Sequence, residues 1–175
     1  MKRMSWLCWL GVMAWSLSGF EAMAIKAGDP VPDVSAPSTS GQNVNLRDLK
    51  AWTVLFFYPK AGTPGCTKQA CGMRDAFTEM KNLGAVVLGI STDDLAAQRK
   101  FKAEHQLPYD LLADNERNVP KAFDALGMIG FAKRSTYIVN PEGIVTDVID
   151  SVSVSTHDQD VLALLRQRMA APPAE

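Results

Sequence analysis

From Trp52 to Tyr58 the chain reads Trp-Thr-Val-Leu-Phe-Phe-Tyr, without apolar–polar alternation. A half-exposed strand shows that alternation. A continuous run of β-branched and aromatic side chains marks a strand covered on both faces. The run stops at Pro59, and Gly62, Pro64 and Gly65 keep the chain irregular as far as Cys66. A fully buried strand delivering its chain into a Gly/Pro loop and then a cysteine is the feature to which the remaining pattern must be fitted.

Beyond Cys66, Ala70, Met73, Phe77 and Met80 recur at three- and four-residue spacing. They predict one helix, apolar on one face and ending near Gly84. Ala85–Ser91 is a second buried strand. Thr92-Asp93-Asp94 can cap a following helix that runs to about His105. Leu107–Ala113 reads as a short strand and Val119–Leu126 as a short helix. Ser135–Val139 and Ile144–Ile149 are strands joined by a four-residue hairpin turn, Asn140-Pro-Glu-Gly143. Thr156 or His157 opens a last helix through Met169, with Val161, Leu162, Leu164 and Leu165 on its apolar side. Ile25–Thr39, rich in Pro, Asp and Ser, reads as extended chain with turns. Strands alternating with helices, then a hairpin and a helix, predict an α/β domain with a central mixed sheet flanked by helices. The order β-α-β-α-β-β-α is that of a thioredoxin-like fold with additions.

The first 24 residues stand apart. Lys2 and Arg3 precede an apolar run from Met4 to Leu17, and Ala22-Met23-Ala24 is a small-x-small site. Those three features describe a secretory signal peptide cleaved after Ala24. The run is short for a membrane span, which needs about 20 residues, so an uncleaved anchor is the alternative. Residues 25–175 then form one exported domain, and the expectation that follows from the leader is a periplasmic address. No linker or repeat divides them.

Eighteen basic against nineteen acidic residues give a net charge of −1. No basic face argues for nucleic acid. Of three cysteines, Cys8 lies in the leader, while Cys66 and Cys71 lie five residues apart in the body. Thr63 followed by Pro64 suits an N-cap with proline at the first helical position. Cys66 then falls in the first helical turn, where unpaired amides and the helix dipole favour a thiolate. On spacing alone, a reactive pair and an ordinary half-buried pair are equally supported.

The pattern Pro59-x-x-x-Thr63-x-x-Cys66 resembles the active-site signature of the peroxiredoxins. The fuller string Phe56-Phe57-Tyr58-Pro59-Lys60, Thr63-Pro64-Gly65-Cys66-Thr67, Ala70-Cys71 is similar to the bacterioferritin-comigratory-protein (Q-type) branch of these AhpC/TSA-like proteins. The likeness continues through Gly89-Ile90-Ser91, Leu107–Asp114 and Arg134–Val139, and so covers about Gly28 to Arg166. It implies that Cys66 is the peroxidatic cysteine, whose thiolate attacks a peroxide and becomes a sulfenic acid. It implies that Cys71 is the resolving cysteine, closing an intramolecular disulfide. Thr63 would hydrogen-bond the thiolate and peroxide, Pro59 would shield the site from water, and Arg134 would favour the thiolate and polarise the peroxide. Gln69 falls where relatives carry a polar or acidic residue. Without the resemblance, Arg134 beside Lys133 reads as surface charge. The chain departs from the branch between Gly127 and Arg134, where Met-Ile-Gly-Phe-Ala-Lys replaces a longer, more charged stretch. Gly62 and the leader are further departures.

The implied partners are peroxides and a thioredoxin- or glutaredoxin-like reductant, with no cofactor, no metal and no nucleic acid. The cysteine pair within one chain makes a monomer sufficient. An exported thiol-disulfide oxidoreductase of the same fold is the nearest alternative. It ordinarily carries Cys-x-x-Cys, whereas here the spacing is Cys-x-x-x-x-Cys. A copper-delivery module would need a positioned histidine. Only His105 and His157 exist, and both read as solvent-facing helix residues.

Overall fold

A computed structural model describes residues 24–170; the leader, including the expected cleavage signal, lies outside the described residues except for Ala24. The sheet is built around β3 (Thr53–Phe57), every residue of which is buried. β4 (Val86–Ser91) pairs parallel to it on one side and β6 (Thr136–Val139) antiparallel on the other. β5 (Asp110–Ala113) extends the parallel side and β7 (Val145–Ile149) the antiparallel side. The order β5-β4-β3-β6-β7 is that of a mixed five-stranded sheet, as the sequence predicts. A separate hairpin pairs β1 (Ser35–Pro37), within the stretch read as extended chain, with β2 (Asn43–Asn45), which follows that stretch.

The period of two along β3 divides the core. Val54, Phe56 and Tyr58 pack on one face with Ala70, Met73, Phe101 and Val161. Leu55 and Phe57 pack on the other with Val119, Phe123 and Tyr137. Both sets are fully buried, which is why the run carries no polar alternation.

The helices are α1 (Pro64–Asp75), α2 (Phe77–Asn82), α3 (Leu95–Glu104), α4 (Asn118–Ala122) and α5 (His157–Ala170). The single helix expected from Cys66 to Gly84 is therefore two. Its break at Ala76 keeps φ −88° and ψ −4°, still in the right-handed region. The three- and four-residue stripe consequently passes through the break unchanged, and no sequence period could report it. Asp94 caps α3 as expected, accepting from the Ala97 amide at 2.8 Å. The strand expected over Leu107–Ala113 pairs only from Asp110, and the helix expected over Val119–Leu126 is one residue earlier and stops at Ala122. Its end releases the chain into positive φ at Asp124, which a helix does not tolerate.

Close packing reaches the backbone at Gly89 in β4. A Cβ there would stand 2.7 Å from Leu111 Cδ2 and 2.8 Å from Phe56 Cζ. Both are buried side chains with no room to retreat. Gly89→Ala is expected to overpack this core layer and to cost about 1–3 kcal/mol. The urea unfolding midpoint measures it; an unchanged midpoint would show that the layer can relax.

Candidate active site

The site forms where β3 ends. Tyr58 is fully buried, Pro59 half-buried, and the chain then loops through Gly62, at φ +76°, into α1. Thr63 takes the extended N-cap backbone, φ −79° and ψ 150°, with Pro64 at the first helical position. Cys66 therefore lies in the first turn, where helix amides lack intrahelical partners, and is only 1 % exposed. Cys71 is half-buried one turn and a half further along, and both cysteines are free thiols.

Arg134, from the segment leading into β6, reaches across to this turn. Its Nη2 stands 3.4 Å from Cys66 Sγ, and its Nη1 donates to Gln69 Oε1. The guanidinium read as surface charge on local sequence alone is half-buried and aimed at the thiol. Gln69 is 1 % exposed, so its carbonyl is a fixed acceptor that orients the arginine. A guanidinium has only donors; held beside Sγ by Gln69, it leaves further N–H groups for an oxygen brought against the sulfur.

Thr63, expected to hydrogen-bond the thiolate and peroxide, has its hydroxyl engaged within its own loop. Its hydroxyl donates to the Lys60 carbonyl at 3.0 Å, and among the described residues it makes no hydrogen bond to Cys66 Sγ or to the helix amides. The reason is local: a threonine hydroxyl three residues after a free loop carbonyl bonds back to it. That bond ties Thr63 to the loop between β3 and α1.

Other residues hold the loop and escape sequence reasoning. The Asp93 carboxylate accepts from the Ala61 amide at 2.7 Å and from Ser91 Oγ at 2.7 Å. Buried Gln98 donates to Ser91 Oγ and accepts from the Tyr58 hydroxyl. Burial pushes the Tyr58 phenol well above its ordinary range, so it stays a protonated donor. Asp93 stands in Thr92-Asp93-Asp94, which reads as a capping cluster; only Asp94 caps.

His157 is a plain correction. It is 1 % exposed, not solvent-facing. Its Nε2 lies 2.8 Å from Thr136 Oγ1 and its Nδ1 3.5 Å from Gln69 Nε2. It is the first residue of α5, with its ring set against α1 and β6 because the start of α5 turns into the core. Burial lowers its pKa to about 4, so the ring is neutral at pH 7. His105 is half-exposed at the end of α3.

At the rim, the departing stretch folds into a tight turn. Leu126 bridges Ala132, Gly127 N–H donates to the Phe131 carbonyl at 2.7 Å, and Gly130 takes φ +83°. Met128 and Ile129 are fully and four-fifths exposed at its tip. Lys60 Nζ, from the cysteine loop, sits 5.9 Å from the Phe131 ring centroid.

A thiol at a helix start, an arginine on its sulfur and a second thiol five residues on can now be set beside known proteins. The putative peroxiredoxin bcp of Coxiella burnetii is 37 % identical over 151 residues, 82 % of this chain and all of the relative. Peroxiredoxin Bcp of Escherichia coli K12 is 38 % identical over 82 % of this chain and 97 % of its own. Among solved structures, peroxidoxin BcpB of Mycobacterium tuberculosis superposes with a TM-score of 0.75 at 38 % identity, covering 82 % of this chain and 97 % of that one. These similarities fit a thioredoxin-fold thiol peroxidase. The model of the AhpC/TSA family matches residues 27–148, which span the sheet, the cysteine loop and Arg134, and the chain belongs to that family.

Proposed function

We propose that Cys66 is the peroxidatic residue of an exported thiol peroxidase and that Cys71 resolves it. The Cys66 thiolate attacks one oxygen of a hydroperoxide; the O–O bond breaks, leaving a sulfenic acid and, with one proton, water or an alcohol. The developing charge on the departing oxygen is met by the Arg134 N–H groups. The Cys71 thiolate then attacks the sulfenic sulfur, the S–O bond breaks as the disulfide forms, and the departing hydroxide takes up one proton to leave as water. A dithiol donor of the thioredoxin or glutaredoxin type restores both thiols, itself becoming a disulfide. The observation that carries this reading is Arg134 Nη2 at 3.4 Å from a buried Sγ in a first helical turn.

The leader sends this chemistry to the periplasm, with an N-terminus at Ile25. Both cysteines belong to one chain, so a monomer completes the cycle, and no metal or cofactor takes part. Residues 25–175 are expected to consume hydrogen peroxide and an organic hydroperoxide steadily when a dithiol donor is supplied. Failure with thioredoxin, glutaredoxin and dithiothreitol alike would overturn the reading. N-terminal sequencing of periplasmic protein is expected to start at Ile25; recovery only in membranes with Met1 intact would replace export by anchoring.

A further inference from the structure

Four side chains from four places in the chain meet behind the reactive cysteine: Gln69 of α1, Arg134 before β6, Thr136 in β6 and His157 at the start of α5. Their donors and acceptors can be ordered by elimination. Arg134 offers only donors, so the atom of Gln69 facing it is the carbonyl oxygen, as found. The Gln69 NH₂ group therefore points at His157 Nδ1, 3.5 Å away and at the long end of hydrogen-bond range. A donor arriving there requires Nδ1 to hold a lone pair. The ring proton then sits on Nε2 and is donated to Thr136 Oγ1 at 2.8 Å.

We infer that His157 is a positioning residue for the peroxide step, holding the Gln69 amide in the one orientation that lets it accept from Arg134 and so aim the guanidinium at Cys66. This inference rests on the roles proposed for Cys66 and Arg134. The alternative amide orientation would set NH₂ against the Arg134 N–H groups, two donors facing each other, and the guanidinium would lose its buried acceptor. Without His157 nothing on α5 distinguishes the two ends of the amide. The neutral ring suits the role, since an imidazolium has no acceptor to offer. The charged groups around it are Asp158 and Asp160 on its own helix and Arg134 across the site; α1 faces it with uncharged Gln69, β6 with Thr136 and β3 with the Phe56 ring edge, 6.2 Å between centroids.

Two polar replacements separate positioning from packing. In His157→Asn the amide oxygen can occupy the Nδ1 position and keep the acceptor for Gln69. In His157→Gln the longer side chain reaches the Nε2 position toward Thr136 and leaves Nδ1 vacant. Stopped-flow oxidation of Cys66 by hydrogen peroxide is expected to be about tenfold slower in His157→Gln, a size typical of coupled neighbours, and within about twofold of the parent in His157→Asn. On an Arg134→Ala background, His157→Gln is expected to add nothing, because the group being aimed is gone. Equal rates for the Asn and Gln variants would overturn the inference, as would an undiminished His157→Gln effect without Arg134. Loss of folding in the Gln variant would be seen by circular dichroism; Thr136→Val, which removes the acceptor that fixes the ring proton on Nε2, then serves in its place and is expected to slow the same step several-fold, parent-like oxidation overturning the inference. If Arg134→Ala itself oxidised at the parental rate, the underlying assignment of Arg134 would fall first.

Discussion

Cys66→Ser is expected to abolish peroxide consumption, and Arg134→Ala to slow the oxidation of Cys66 by about 10²–10³-fold, the usual loss when one oriented donor to a developing oxyanion is removed. The two variants fail differently. Serine at position 66 keeps the helix start and the burial but offers a poor nucleophile. Alanine at 134 keeps the thiol but withdraws the group 3.4 Å from Sγ and leaves Gln69 Oε1 without its donor. Arg134 is half-buried at the site mouth and belongs to no core cluster, so the fold is expected to survive its loss. Circular dichroism with rapid-mixing oxidation checks both statements. Parental oxidation by Arg134→Ala would leave its contact with the sulfur without a catalytic meaning.

Oxidation is expected to unwind the start of α1, and here geometry decides. Cys66 and Cys71 both lie within Pro64–Asp75. Residues five apart on an intact helix are separated by about 7.5 Å along the axis and about 140° around it, which places their Cα atoms about 8.7 Å apart. A disulfide spans roughly 4.4–6.8 Å between Cα atoms. The bridge therefore requires the turn between them to open. Resisting it are Ala70 and Met73, both fully buried, the Tyr109 hydroxyl donating to the Ala70 carbonyl at 2.7 Å, and the Gln69 contacts to Arg134 and His157. Assisting it are Thr67 and Gly72, weak helix formers. Amide hydrogen exchange is expected to show lower protection across residues 66–72 in the oxidised protein than in the reduced one. Cys71→Ser, unable to close the bridge, is expected to keep the helix protected, to accumulate the sulfenic acid and to proceed more readily to the sulfinic acid. Equal protection in the two states, with the disulfide confirmed by mass, would show that the bridge forms without unwinding.

Much of this protein is determined locally. The unbroken apolar run makes Thr53–Phe57 a central strand because both of its faces must be covered. Thr63-Pro64 starts a helix because proline's fixed φ and missing N–H suit its first position, and that start puts Cys66 among unpaired amides. Asp94 caps and Asn140–Gly143 turns for equally local reasons. The break at Ala76 has no such signature, since its backbone remains helical and the stripe runs on. The partners of Cys66 are less legible still. Gln69 and Arg134 are 65 residues apart, Gln69 and His157 are 88 apart, and Thr136 and His157 are 21 apart. Only the family likeness pointed to Arg134, and nothing pointed to His157, which in a helix-start sequence of Thr-His-Asp looks like any exposed polar residue. Local periodicity encodes which face of an element is apolar. Whether a polar side chain on that element ends in water or behind a thiol depends on which other elements pack against it, and that is decided when α1, α5 and β6 close over Phe56.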